Sequence, residues 1–167
     1  MGYNNNNNNS AERFNQFIYR QSENNATINN NSTTATSNSK PQYRILLVDD
    51  EADLTLSIKK GLEHERKDIF AVDAFNDPEE ALSNFKAGFY DLLLIDIKMP
   101  KMNGFELYQK IKKIDDKVKV CFITAFEVYY QSLRELYPNM KVECFIKKPI
   151  TTDDLVDRIM AELSCPS

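Results

Sequence analysis

No stretch of this sequence approaches the roughly 20 consecutive apolar residues that a bilayer-crossing helix needs. A basic-then-apolar leader is also missing, so nothing at the start reads as a secretory signal. Positive charge is in deficit: 21 Lys and Arg face 25 Asp and Glu, a formal net charge of −4. Binding nucleic acid by phosphate neutralisation needs the opposite balance, and that class drops out. The three cysteines, Cys121, Cys144 and Cys165, have neither CxxC spacing nor the even count of a disulfide framework. Cys121 and Cys144 lie inside apolar runs and read as small buried thiols. The expected compartment is the reducing cytoplasm, with no membrane and no direct nucleic-acid partner.

Apolar side chains are scarce at the start as well. Residues 1–41 are dominated by Asn, Ser and Thr, with six consecutive Asn from Asn4 to Asn9. Such a segment cannot offset the entropy of ordering itself, so it reads as a disordered tail ahead of a folded region at 42–165. Phe14, Phe17, Ile18 and Tyr19 are spaced for a brief amphipathic turn; we read transient structure there, with a docking segment as the alternative. The tail carries +1, which leaves −5 on the remainder.

After Pro41 short apolar runs appear at 43–48, 69–74, 92–95, 118–123 and 142–146. Segments of helical periodicity separate and follow them: Leu54/Ile58/Leu62, Ala81/Leu82/Phe85, Phe105/Leu107/Ile111, Val128/Leu133/Leu136 and Leu155/Ile159/Leu163. Five strand–helix units result. Strands that are apolar throughout, rather than alternating, predict a sheet buried on both faces, hence a parallel one with helices on each side. Asp77-Pro78-Glu79-Glu80 supplies a cap, a Pro at the first helical position and acidic residues in the first turn. Thr151-Thr152-Asp153-Asp154 does the same for the last helix.

Open parallel sheets bind ligands beyond the carboxyl ends of their strands. Those ends carry Asp49-Asp50-Glu51, Asp96, Thr124-Ala125 and Lys147-Lys148-Pro149. Carboxylates gathered this way repel one another unless a cation compensates. Mg²⁺ suits such a set, since it takes oxygen ligands and pairs carboxylates with phosphate oxygens. A carboxylate can attack a phosphoryl donor to give an aspartyl phosphate, a reaction that needs mainly positioning and charge neutralisation. Taken singly, each residue has a plainer reading: helix cap, turn residue or solvated lysine. Their coincidence at successive strand ends makes the plain readings improbable together.

These residues also carry a resemblance. Ile45-Leu46-Leu47-Val48-Asp49-Asp50-Glu51, the segment from Asp91 to Pro100 with Asn103-Gly104, Ile123-Thr124-Ala125 and Phe145-Ile146-Lys147-Lys148-Pro149 resemble the receiver domain of two-component response regulators. The resemblance covers 43–163. It implies a doubly wound, five-stranded parallel sheet of flavodoxin-like, CheY-like type, in strand order 2-1-3-4-5 with helices on both faces. It makes Asp96 the phosphoacceptor and places Mg²⁺ on Asp50 directly, on Asp49 through water, on Asp96 and on the backbone carbonyl of Lys98. Thr124 would hydrogen-bond a phosphoryl oxygen, and Ala125 would leave that group room. Lys148, which precedes Pro149 through a bond commonly cis in the family, would aim its ammonium into the pocket while Lys147 points to solvent.

Signalling in the family moves the threonine and an aromatic of the fifth strand, here Thr124 and Phe145, and Phe145 lacks the hydroxyl of the tyrosine often found there. The adjoining face would include a helix over 127–137, whose Tyr129, Tyr130 and Tyr137 serve as partner surface or as core. Lys98 and Phe126 would border the phosphoryl group, and a bulky Phe126 predicts slow autodephosphorylation. No output domain follows the last helix, so a stand-alone switch is expected rather than an enzyme. It would be phosphorylated by a sensor histidine kinase or a histidine phosphotransfer protein and would act on an effector protein. The alternative is a relay intermediate that passes the group on to a histidine phosphotransfer protein. A related phosphatase would want an aspartate where Lys98 stands, and an FMN protein would not place Asp49-Asp50-Glu51 against a phosphate.

Overall fold

The computed structural model describes residues 41–66, 68–125 and 144–165. The amphipathic turn near Phe14, the tail, the helix over 127–137 and Phe126 all lie outside the described residues. Five strands form, β1 (Tyr43–Val48), β2 (Phe70–Phe75), β3 (Leu92–Asp96), β4 (Lys119–Thr124) and β5 (Cys144–Lys147). Four helices accompany them, α1 (Ala52–Glu65), α2 (Pro78–Asn84), α3 (Gly104–Lys112) and α4 (Thr152–Ser164). All strand pairs are parallel, in the order β2-β1-β3-β4-β5, as the resemblance implies.

The central strand explains the layering. Every residue of Leu92–Asp96 is buried, so both faces of β3 must be covered. Leu93 and Ile95 face one apolar cluster with Leu46, Val48, Val120 and Phe122, beneath Ala81 of α2 and Phe105, Leu107 and Ile111 of α3. Because side chains alternate along a strand, Leu92, Leu94, Ile45, Leu47, Cys121 and Ile123 face the other way. That side is closed by α1 and α4, which bury Ile58, Leu62, Leu155, Val156, Ile159 and Met160. Each such aliphatic side chain contributes about 1.5–3 kcal/mol on burial.

Local chemistry starts the helices where the residues call for it. Asp77 accepts from the backbone N–H groups of Glu79 and Glu80, with Pro78 opening α2. Thr151 accepts from the N–H of Asp154 to begin α4. Asn103 and Glu106 form a reciprocal capping box at α3. Helix α2 ends at Asn84, one residue short of the periodic Phe85, which stays buried at the helix end.

One expectation fails. Cys121 and Cys144 are not separate thiols but are joined as a disulfide, leaving Cys165 as the free, exposed cysteine. The reason is register: the parallel pairing of β4 and β5 sets Cys121 opposite Cys144 with Cα atoms 4.6 Å apart, a separation a disulfide spans.

Candidate functional site

The carboxyl ends of β1, β3, β4 and β5 meet around an open cavity of about 500 Å³, bordered by Asp50, Glu51, Asp96, Lys98, Ala125 and Lys148 together with Met99 and Pro100. Parallel strands bring these residues together because each strand finishes on the same edge, whatever separates them in sequence. Lys148 is the hub. Its ammonium donates to Asp49 Oδ2 at 2.6 Å and lies 3.0 Å from Asp96 Oδ1. Glu51 is a looser third neighbour at 3.7 Å. The Lys148–Pro149 peptide bond is cis, and the backbone N–H of Lys148 donates to the carbonyl of Thr124.

The acidic pair divides by environment. Asp49 is fully buried, and its Oδ1 accepts from the backbone N–H of Glu51 at 3.0 Å. Asp50 is exposed and borders the cavity. Although Glu51 is the residue before α1, its side chain caps nothing, so the pair's plain reading as a helix cap finds no support. Behind Asp49 lies a polar brace. Asn76 donates to the Asp49 carbonyl at 2.7 Å and to the Thr55 hydroxyl at 2.8 Å, and that hydroxyl donates to the same carbonyl. Neither Asn76 nor Thr55 stood out in the sequence, where each reads as an ordinary turn or helix residue.

Asp96 is 5% exposed and is oriented by the backbone N–H of Lys98, which donates to its Oδ2 at 2.6 Å. Burial pushes the Asp96 carboxyl above the ordinary carboxylate range, opposed by the hydrogen bond and charge of Lys148 and assisted by the negative Asp49. Burial works against the Lys148 ammonium, yet its bonds to Asp49 and Asp96 outweigh that and hold its pKa above the usual lysine value. Thr124 is buried at the end of β4, while the neighbouring Ala125 borders the cavity. Lys147 is exposed, in contrast to Lys148. Phe145 packs half-buried against the apolar cluster, its ring stacked 5.6 Å from Phe122.

Gly104 allows β3 and α3 to approach. A Cβ there would overlap the backbone oxygen of Asp96, and the Gly104 N–H donates to the Ile97 carbonyl at 2.9 Å. Asn103-Gly104 therefore shapes the loop that carries Lys98.

The side chains of Asp49, Asp50 and Asp96 that meet at this edge offer carboxylate oxygens. Counted with Glu51, four carboxylates gather at this edge against two lysines, Lys98 and Lys148, a surplus of negative charge. Hard divalent cations such as Mg²⁺ favour that chemistry, and softer metals that prefer sulfur or imidazole do not.

Comparison with known proteins agrees with the geometry. The family described as response regulator receiver domain matches residues 45–160. The response regulator ArlR of Staphylococcus saprophyticus is 34% identical over 121 residues, spanning 72% of this chain and 52% of that protein. This chain thus spans about half the length of the curated relatives it matches. Among solved structures, a CheY-like receiver domain protein from Methanospirillum hungatei is similar at a TM-score of 0.63 and 32% identity, covering 72% of this chain and 93% of that one. The response regulator TrrA of Thermotoga maritima, solved in complex with Mg²⁺ and BeF, gives a TM-score of 0.59 at 29% identity, covering 71% and 97%.

Proposed function

This chain belongs to the response-regulator receiver family, a component of two-component signalling, and on that premise we propose that Asp96 is its phosphoacceptor, charged by a histidine kinase or a histidine phosphotransfer protein. The observation that carries the proposal is Lys148, whose ammonium lies between Asp49 and Asp96 at the border of the cavity. An ammonium there offsets the charge that develops on the phosphoryl oxygens during transfer.

In the proposed reaction an Asp96 carboxylate oxygen attacks the phosphorus of the donor phosphohistidine. The new P–O bond forms as the P–N bond breaks, and the electron pair leaves with the imidazole. The Lys98 N–H holds the carboxylate in orientation, and burial strips it of water. Asp49, Asp50, Asp96 and the Lys98 carbonyl would hold Mg²⁺, which supplies Lewis-acid neutralisation of the phosphoryl oxygens. Thr124 would then receive a phosphoryl oxygen, and Phe145 would report the change at the surface. The protein is a phosphoacceptor switch rather than a conventional enzyme; transfer from a donor and autodephosphorylation are the chemistry it performs on itself. The switch would act on an effector protein; among the described residues no helix is long and apolar enough to cross a membrane.

Incubation with Mg²⁺ and acetyl phosphate, followed by intact-mass measurement, tests the chemistry. One added phosphoryl group, lost in Asp96→Asn, is expected; an undiminished gain in that variant would sink the assignment.

A further inference from the structure

The Cys121–Cys144 bond links β4 to β5 on the face covered by α4, three residues before Thr124 and directly before Phe145. Three residues of extended strand span about 10 Å, so the bond lies apart from the acidic cavity but on the same two strands. Compartments where kinases consume ATP keep thiols reduced, and disulfides found there are mostly transient or redox-sensing. Glu162 of α4 completes the surroundings, with a carboxylate oxygen within 4.8 Å of both sulfurs. Its position is fixed by Lys119, whose ammonium donates to the Glu162 backbone carbonyl at 2.8 Å.

We propose that Cys121 and Cys144 are a reversible redox site, a dithiol that a hydroperoxide closes to the disulfide and a dithiol reductant reopens, and that closure favours the inward position of Phe145. The inference rests on reading the chain as a phosphoacceptor switch. Cys144 is 5% exposed and Cys121 not at all, so Cys144 meets the oxidant first. Its sulfur attacks one oxygen of hydrogen peroxide; the O–O bond breaks, water leaves, and a sulfenic acid forms. Glu162 is placed to take the thiol proton and return it to the departing hydroxide. The Cys121 sulfur then attacks the Cys144 sulfur, forming the S–S bond and expelling a second water. Two thiols give up two electrons and two protons, and the peroxide receives both.

Closure acts on Phe145 through the backbone. Phe145 opposes Phe122 in the β4–β5 register and stacks on its ring, while its carbonyl accepts from Arg158 at 3.0 Å. Tying residue 144 to β4 prevents β5 from drawing away at that point, which disfavours the outward ring. Phosphoryl binding favours the same inward ring, so each event assists the other, and thermodynamic linkage makes the assistance reciprocal.

The test uses the full chain with Cys165→Ser to silence the exposed thiol. Protein reduced with dithiothreitol is compared with protein treated with hydrogen peroxide, and non-reducing peptide mapping follows the 121–144 cross-link. Beryllofluoride with Mg²⁺ is then titrated by calorimetry into both forms. We expect the cross-link to form and reverse, and the oxidised form to bind about fivefold or more tightly. Cys144→Ser should bind as the reduced protein does under both treatments. Equal affinities for the two forms, or no cross-link after oxidation, would overturn the proposal. So would zinc held by the reduced protein in place of cross-linking, which would make the three side chains a metal site. Absence of beryllofluoride binding in both forms would remove the phosphoacceptor reading and the coupling with it, while peptide mapping still decides the thiol chemistry.

Discussion

Lys148 and Lys101 each lie among carboxylates, one at the cavity and the other on the surface between the loops that follow β2 and β3. Lys148 serves Asp49 and Asp96 with its side chain 10% exposed; Lys101 serves Asp77 and Glu79 with 56% exposed. The charges are alike, but the solvent differs. At the surface, water screens the pairs and supplies alternative partners, so little is lost when one member goes. In the cavity, removal of one member leaves the others buried without compensation. The clusters differ in purpose for the same reason: strong fields survive only where water is excluded, and phosphoryl chemistry needs strong fields.

The comparison is broken or sharpened first at its buried end. Lys148→Ala should leave Asp49 and Asp96 facing each other and lower unfolding stability by about 3 kcal/mol, measured by urea denaturation. The same variant should lose acetyl phosphate-dependent phosphorylation, and an unaltered rate would show that the ammonium does not assist transfer. Gly104→Ala should cost about 1–3 kcal/mol, because the added methyl meets the Asp96 backbone. Its phosphorylation rate should fall along with its stability as the Lys98 loop shifts.

Asp96→Asn is expected to abolish phosphorylation while changing stability by less than about 1 kcal/mol, since relief from burying a carboxylate offsets the weakened contact with Lys148. A large loss of stability would mean that Asp96 is held for structure and not for chemistry. Lys101→Ala should have the smallest effect, a shift in melting temperature near the limit of detection. Its pH dependence is more telling. The hydrogen bond from Lys101 holds the Asp77 carboxyl below the ordinary carboxylate range, assisted by the Glu79 N–H. A depressed folded-state pKa contributes stability that is present above the unfolded value and is lost as pH falls through the folded one. The gap between wild type and Lys101→Ala should therefore close as pH drops below about 4.

Much of this was legible in residue order because its causes are local. The period of apolar residues placed the described strands to within one or two positions, and Asp77-Pro78 and Thr151 marked helix starts through hydrogen bonds that reach two or three residues. The strand-end residues Asp49, Asp96 and Lys148 could be grouped in advance because parallel strands all end on one edge. Less was legible where the cause lay between elements. Asn76 and Thr55 brace Asp49 from another strand end and from a helix, and nothing in their own neighbourhoods signals it.

The sequence by itself determined the five-strand parallel arrangement, the edge on which the acidic residues gather and the oxygen-rich character of that edge, since periodicity, capping and charge are properties of short segments. Tertiary structure alone decided that Asp49 is buried beneath Lys148 while the adjacent Asp50 borders the cavity, because burial depends on which neighbours close over each side chain. It alone decided that Cys121 meets Cys144, two residues 23 positions apart that strand register makes adjacent. Pairing across a sheet is fixed by the packing of both faces at once, and no single segment contains it.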